Sequence, residues 1–517
     1  MFDDSKATEE MKSNTRPRFG TIYAVFCAAT LVVQAAMAAP DDKLSGDDAR
    51  HFLNRTGFAA SLTEIDAYTG LTRGQAAEKV VAAARDVAVT PPPSWVTEPI
   101  TPASKVRDMT PEERQAELRM NNDRAAELRE WWFREMLNTP SPLTERMTLF
   151  WHNHFATSQQ KVRLTKLIYT QNALLRNSAM GNFGYMLRQI ARDPAMLIYL
   201  DNANSRREQP NENFAREVME LFSLGEGNYT EQDIKEMARA FTGWSVDRET
   251  GEFLFRRGAH DPGMKSIFGK KAYFEGDQAL DLLLRRPETA QFITRKLWKE
   301  FVSPSPDTAE VNRIADVFRK SGYNISTLMK AILTTDAFYA AENRATLVKS
   351  PVEYVVGTMK QFDIQTSNLR PFVFASALLG QNVFAPPNVK GWPGGQAWIN
   401  TATLLGRKQF IDRLFKNEDR MESVMNALDE MAERSGTPPP LGRVQRQQRR
   451  AERAMAALNW NLDRWSSSVA YANTNTRDGI SMMAKLVLPM TPSSMPSSTK
   501  PADWARAFVT DPAYQLK

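Results

Sequence analysis

The chain has 517 residues, 42% of them hydrophobic and 24% charged, the ordinary balance of a folded soluble protein. That length allows about three domains or one large helical body. Cys27 is the only cysteine, and the formal net charge is +6. A disulfide-stapled scaffold and a thiolate metal cluster are therefore excluded.

Residues 20–38, GTIYAVFCAATLVVQAAMA, form an apolar run preceded by Arg16 and Arg18 and closed by Ala36-Met37-Ala38. These are the three parts of a secretory signal peptide. The alternative, a membrane anchor, is weakened because Gln34 interrupts a run that barely reaches the about 20 residues a span needs. No later stretch is long and apolar enough to cross a membrane. The mature chain is thus expected to be exported, periplasmic or extracellular, with no transmembrane span and no cysteine. Met11 is an alternative start, since MKSNTRPRFG is a more usual leader than the acidic decapeptide before it.

Residues 45–85 carry helical patterning in DDARHFLNRTGF, LTEIDAYTG and RGQAAEKVVAAAR. Residues 90–102, with PPPSW and EPITP, read as a linker or surface crossing. Thr110 and Glu113 form a capping box that opens a long helix from Pro111. After Pro140 and Pro142, PLTERMTLFWHNHFATS places Met147, Phe150, Trp151, His154 and Phe155 on one helical face. Two further helices flank Gly181. Pro210 then predicts a helix to Leu224, with Gly225 as its stop. Phe214, Val218, Leu221 and Phe222 make its apolar stripe, and Asn213, Arg216, Glu217 and Glu220 the adjoining polar one. Thr230, with Asp233 three on, opens the next helix.

WSVDRETGEFLFR alternates about Thr250-Gly251 and predicts a hairpin. GAHDPGMKSIFGK follows as a loop, and helices then resume, with Ser350, Pro351 and Glu353 marking another start. FAPPNVKGWPGGQAWIN is the most irregular aromatic stretch. Residues 434–480 are Pro-rich and then Gln/Arg-rich, with Arg443, Arg446, Arg449, Arg450 and Arg453 reading as a solvated basic face. The expected fold is mainly α: a signal peptide over 1–38, then a single large helical body over 39–517. It carries one small β-hairpin and insertions or mobile segments at 90–130 and 434–480.

The runs PNENFARE, MELFSLGEGNYTE and ARAFTGW resemble those of the bacterial domain-of-unknown-function family 1800. ARHFLNRTGFAAS, PLTERMTLFWHNHFATS, the Gly/Pro/Trp stretch and the closing PADWARAFVTDPAYQLK extend the likeness along most of the mature chain. The resemblance implies an exported protein with no established reaction. It also implies a paired role, because such proteins are often encoded beside exported sulfatase-like proteins.

No G-x-S-x-G, H-E-x-x-H, Walker-type loop or G-x-G-x-x-G is present. A calcium-loop register from Asp201 fails at Ala203 and Arg206. Four histidines exist in all. His152 and His154 stand two apart, about 200° around a regular helix. They share a metal only if the helix ends first, which Asn153 and Ala156-Thr157-Ser158 permit. The alternative for His154 is a hydrogen-bonded core residue, and for His260-Asp261 a turn-stabilising pair. Glu217 and Glu220 lie one turn apart and converge, either as general acid/base groups with His260 or as a salt-bridge network with Arg206, Arg207 and Arg216. Asn204, Asn211 and Asn213 beside Asp201 suit oxygen ligation of a divalent cation or a sugar. Lys390, Trp392 and Trp398 are expected at a pocket rim, the two indoles as stacking faces, although a structural crossover is the plainer reading.

Two functions follow as expectations. The first is a binding or assembly factor of the cell envelope, working with a co-exported sulfatase-like partner or on an anionic polymer, with no nucleic acid involved. The alternative is a metal-assisted or acid/base hydrolase or transferase acting on an envelope or extracellular polymer, with Glu217, Glu220 and His260 catalytic and His152, His154, Asp201 and Asn213 as ligands. Amino-terminal sequencing of the mature protein should read from Ala39 or close to it. An intact Met1 or Met11 in the cytoplasm would refute export.

Overall fold

Side-chain caps set the helix starts. Ser45, Ser61, Thr72, Thr110, Thr230 and Ser350 each accept the N–H of the residue three on, whose own side chain returns to the cap N–H. The computed structural model describes residues 42–415, 458, 460–470 and 476–517. The signal-peptide run, the Arg443–Arg453 cluster and most of the 434–480 segment lie outside the described residues.

The elements run α1 (Gly46–Thr56), α2 (Leu62–Tyr68), α3 (Arg73–Ala82), α4 (Ala103–Asp108), α5 (Pro111–Asn138), α6 (Pro142–His154), α7 (Gln159–Val162), α8 (Thr165–Asn177), α9 (Phe183–Ala191), α10 (Pro194–Tyr199), α11 (Glu212–Met219) and α12 (Glu231–Ala240). Strands β1 (Trp244–Val246), β2 (Phe253–Phe255), β3 (Lys265–Ile267) and β4 (Lys270–Ala272) follow. Then come α13 (Gly276–Arg285), α14 (Pro287–Phe301), α15 (Thr308–Lys320), α16 (Ile325–Leu333), α17 (Asp336–Tyr339), α18 (Pro351–Gln361), α19 (Arg370–Leu378) and α20 (Thr401–Phe415). The last are α21 (Leu462–Ala470), α22 (Thr476–Val487) and α23 (Pro501–Thr510). The fold is mainly α, as the periodicity implies, and one continuous apolar cluster runs from Leu44 to Tyr514.

Two details differ from expectation. Asn211, not a residue before Pro210, caps the central helix, and α11 ends at Met219, where a π-turn over Glu220–Leu224 takes over. There are also two hairpins among the described residues. β1 pairs antiparallel with β2, Trp244 opposite Phe255, as the alternation predicts. The stretch read as a loop holds the second, with Ile267 opposite Lys270 across Phe268-Gly269. Both turn residues have positive φ, 49° and 74°, the twist that a two-residue hairpin favours. Side chains of α12 hold it: Asp233 accepts from the Phe268 N–H at 2.7 Å and Glu236 from the Ser266 N–H at 3.0 Å.

Residues 90–130 are fastened to the body. Glu135 accepts the N–H groups of Val89 and Thr90, while Trp95 and Ile100 are buried and the Trp95 indole donates to Glu127 at 2.8 Å.

Charges are buried in pairs. Glu145 on α6 takes Arg176 of α8 through two oxygens, at 2.6 and 3.0 Å, and the Trp132 indole at 2.7 Å. Arg146 reaches Glu300 of α14 at 2.7 Å and also Glu353 of α18. Lys517 joins the same two carboxylates, and Arg55 of α1 donates to the Phe301 and Val302 carbonyls at the end of α14.

Two measurements check this reading. Ser350→Ala removes only the acceptor for the Glu353 N–H and should cost about 0.5–2 kcal/mol in a urea titration. Asp193 caps α10 and accepts from Met196 N–H at 2.8 Å and Gln171 at 2.7 Å. Burial lifts its carboxyl from 3.8 to about 7, against the pull of those hydrogen bonds. A folded value above the unfolded one means that its contribution to stability is complete below about pH 4 and lost as pH rises through about 7. Asp193→Asn keeps the cap oxygen, so its urea midpoint should fall less than that of wild type between pH 5 and pH 8. Parallel declines would refute the assignment.

Candidate functional site

Helix α6 ends in His152, Asn153 and His154, three residues aimed in three directions. His152 is sealed among the rings of Trp132, Phe384 and Trp392, with centroids 5.4, 5.1 and 6.0 Å away. Neither of its nitrogens has a partner, and burial pushes it down to about 3, so it stays neutral. His154 faces the other way. Its Nε2 lies 3.1 Å from the Phe222 carbonyl and its Nδ1 2.7 Å from Lys296 Nζ. A carbonyl only accepts, so Nε2 carries the proton and Nδ1 receives the lysine N–H. Burial holds His154 well below its ordinary range and brings Lys296 of α14 to about 8.

The π-turn supplies that carbonyl. An interrupted helical ladder frees backbone groups, and here the Ser223 hydroxyl takes the Val218 carbonyl at 2.7 Å while Phe222 turns its own to His154. On the outer side of the same segment lie Glu217 and Glu220. Burial first, and the neighbouring Glu220 second, raise the Glu217 carboxyl, with Lys390 and Arg216 acting against them. Glu220 accepts the Tyr229 hydroxyl at 2.5 Å, and Arg216 makes a bidentate pair with Glu231 at 2.8 Å.

Asn153 brings Lys390 to this face. Its Oδ1 accepts the Trp392 N–H at 2.7 Å, and Gly391, at φ 83°, lies so close that a Cβ there would meet the same oxygen at 2.1 Å. Only glycine fits both the conformation and the approach. The loop between α19 and α20 is thereby locked on the end of α6, with exposed Lys390 carried into the electrostatic range of Glu217.

The expected site thus comes together in part. Glu217, Glu220 and Lys390 share one face. Trp392 and Trp398 are 3% and 6% exposed and pack inward, so they present no stacking face. Asn211 is spent as the cap of α11 and donates to the Leu200 carbonyl; Asn204 accepts from Arg248 at 3.2 Å; Asn213 is exposed. Asp201 forms an exposed pair with Lys161 at 2.7 Å. His260 lies elsewhere, its Nδ1 2.9 Å from the Thr242 carbonyl, next to Asp261, which is paired with Arg239. Among the described residues no three His, Asp or Glu side chains are placed to hold a metal ion, so the cation set His152, His154, Asp201 and Asn213 is not assembled. The two histidines diverge because α6 stays helical through both. Sequence reasoning missed Lys296, which sits among Phe292, Ile293 and Leu297 and offered no polar stripe as a signal.

A second concave surface lies between residues 91–94 and α5. It is an open groove of about 930 Å³, lined by Pro91, Pro92 and Pro93, by Arg119, Met120 and Asp123 of α5, and by Arg370. The sequence showed its proline wall only as a surface crossing.

Comparison with curated proteins and with solved structures finds no match. The model of the family described as "Protein of unknown function (DUF1800)" matches residues 51–516, nearly the whole described body, and the chain belongs to that family.

Proposed function

We propose that this protein is an exported binding or assembly factor of the cell envelope, and that its groove along α5 holds a segment of a co-exported, sulfatase-like protein. The groove carries the reading. At about 930 Å³ it lies near the upper end of the range for compact ligand pockets, and it is open to solvent. A site that large and that open suits a chain segment rather than an enclosed small molecule. Its walls are stiff: three prolines fix one side, and a 28-residue helix the other, so little ordering is needed on binding. Arg119 and Asp123 lie one turn apart on α5, both exposed, and present both signs of charge. That favours a polypeptide of mixed charge over a uniformly anionic polymer.

A second reading, acid/base hydrolysis or transfer on an envelope polymer, has one observation in its favour: the half-buried Glu217 carboxyl, raised by burial and by Glu220. The two separate in one binding experiment with the purified co-encoded partner. Arg119→Glu combined with Met120→Glu should weaken binding at least about tenfold, about 1.4 kcal/mol, while Glu217→Gln leaves it unchanged. Equal affinity for wild type and the groove variant would refute the groove. Turnover of an envelope polymer that vanishes in Glu217→Gln would establish the second reading.

A further inference from the structure

Between the first hairpin and the start of α13 lies a cleft of about 90 Å³, room for several waters or one small ring but not for a chain segment. Strand β2 builds one wall. Its side chains alternate, so Phe253 and Phe255 turn half-buried rings to the same face while Leu254 is exposed on the other. Trp244, opposite Phe255 in the pairing, lies so close to Gly276 that no Cβ fits there, and both residues line the cleft. His260 lines it too, its ring edge-on to Phe255 with centroids 5.4 Å apart.

Several polar atoms of this lining are unspent. His260 Nδ1 donates to the Thr242 carbonyl at 2.9 Å, so in the neutral ring Nε2 is left as an acceptor. Among the described residues neither that Nε2 nor the Trp244 indole N–H has a hydrogen-bond partner, and neither is closed off from solvent. Arg192 pairs with Asp277, yet Arg192 Nε and Asp277 Oδ1 remain without partners. The charges in the lining also say what does not fit. The Arg192 guanidinium already lies over the rings of Trp244 and Phe253, 5.3 and 5.6 Å from their centres, so a second cation has no free face to use there. The carboxylates of Asp277 and Glu275 disfavour an anion.

We propose that this cleft binds one neutral sugar ring. A hydroxyl both donates and accepts, which matches a lining that offers the Trp244 N–H as donor and His260 Nε2 and the Asp277 carboxylate as acceptors. The C–H face of the ring lies against Phe255, the one phenyl face not taken by Arg192. An apolar wall with a few convergent polar groups is the usual build of a small-molecule site. The cleft shares no lining residue with the groove on α5, so the two sites are independent.

The test is saturation-transfer NMR on the mature chain with the methyl glycosides of glucose, mannose and galactose and with N-acetylglucosamine. Tetramethylammonium and glucuronate serve as charged comparators. At least one neutral sugar should bind saturably and neither charged probe should. Asp277→Ala and Phe255→Ala should each weaken that binding at least about tenfold, the scale of a lost hydrogen bond to a charged group. Arg119→Glu combined with Met120→Glu, in the α5 groove, should leave it unchanged. A crystal soaked in the bound sugar should show its ring against Phe255, which carries the test if the variants do not fold. No binding by any of the neutral sugars, tighter binding of a charged probe, unchanged affinity in both cleft variants, or only water in the cleft of the soaked crystal would each overturn the proposal.

Discussion

The buried charges of α6 are the constraint on which the rest of the molecule depends. Glu145 and Arg146 are 1% and 2% exposed, and the pair of them binds α8, α14 and α18 at once. Taking such groups out of water is costly, and it is offset when most of their lone pairs and protons find partners; the Nε of Arg146 is left without one. Glu145 accepts three donors, and Arg146 reaches two carboxylates. Removing Arg176 from Glu145, or both carboxylates from Arg146, would leave a buried charge without its counter-charge, a loss of about 3–5 kcal/mol. Neighbouring helices are therefore fixed by angle as well as by contact, because ion pairs are directional where apolar packing is not.

That fixation is transmitted along α6 to its other end. The amino-terminal turns hold the charges, and the carboxy-terminal turn holds His152, Asn153 and His154. Since the helix cannot rotate, His152 must enter the aromatic core, Asn153 must meet Gly391, and His154 must meet the π-turn and Lys296. The polar face at Glu217 inherits its shape from those contacts, through Lys390 on one side and the π-turn on the other.

Much of this was legible in sequence where the cause is local. The boxes at Thr110, Thr230 and Ser350 involve residues three apart, and each is present. So is the Thr250-Gly251 hairpin, whose alternation is its own signal. What stayed hidden is tertiary. β3 and β4 exist as strands because Asp233 and Glu236 hold them from α12, and three residues each leave no readable period. Trp392 and Trp398 look like surface aromatics in a glycine-rich run, yet the close approach of Gly391 to Asn153 turns that loop inward. Lys296 reads as a surface lysine, and only the packing of α14 against the π-turn reveals otherwise. The face at Glu217 was visible because its spacing follows the helical period; its partners on other elements were not.

The π-turn also works as a phase shifter. A turn of α-helix takes about 3.6 residues, and the wider turn at Glu220–Leu224 spends an extra one, which advances everything after it by about 100° relative to an uninterrupted helix. Gly225 comes directly after it, at φ 80°, with the Phe292 ring so close that a Cβ would meet it at 2.9 Å. What the chain specifies here is therefore a count as much as a composition. Deleting one residue from this segment would leave nearly all its side chains in place chemically. It would also relax the backbone to an ordinary helix and swing the Phe222 carbonyl off His154. Replacing a residue within the segment keeps the count, so length is the quantity this part of the molecule tolerates least.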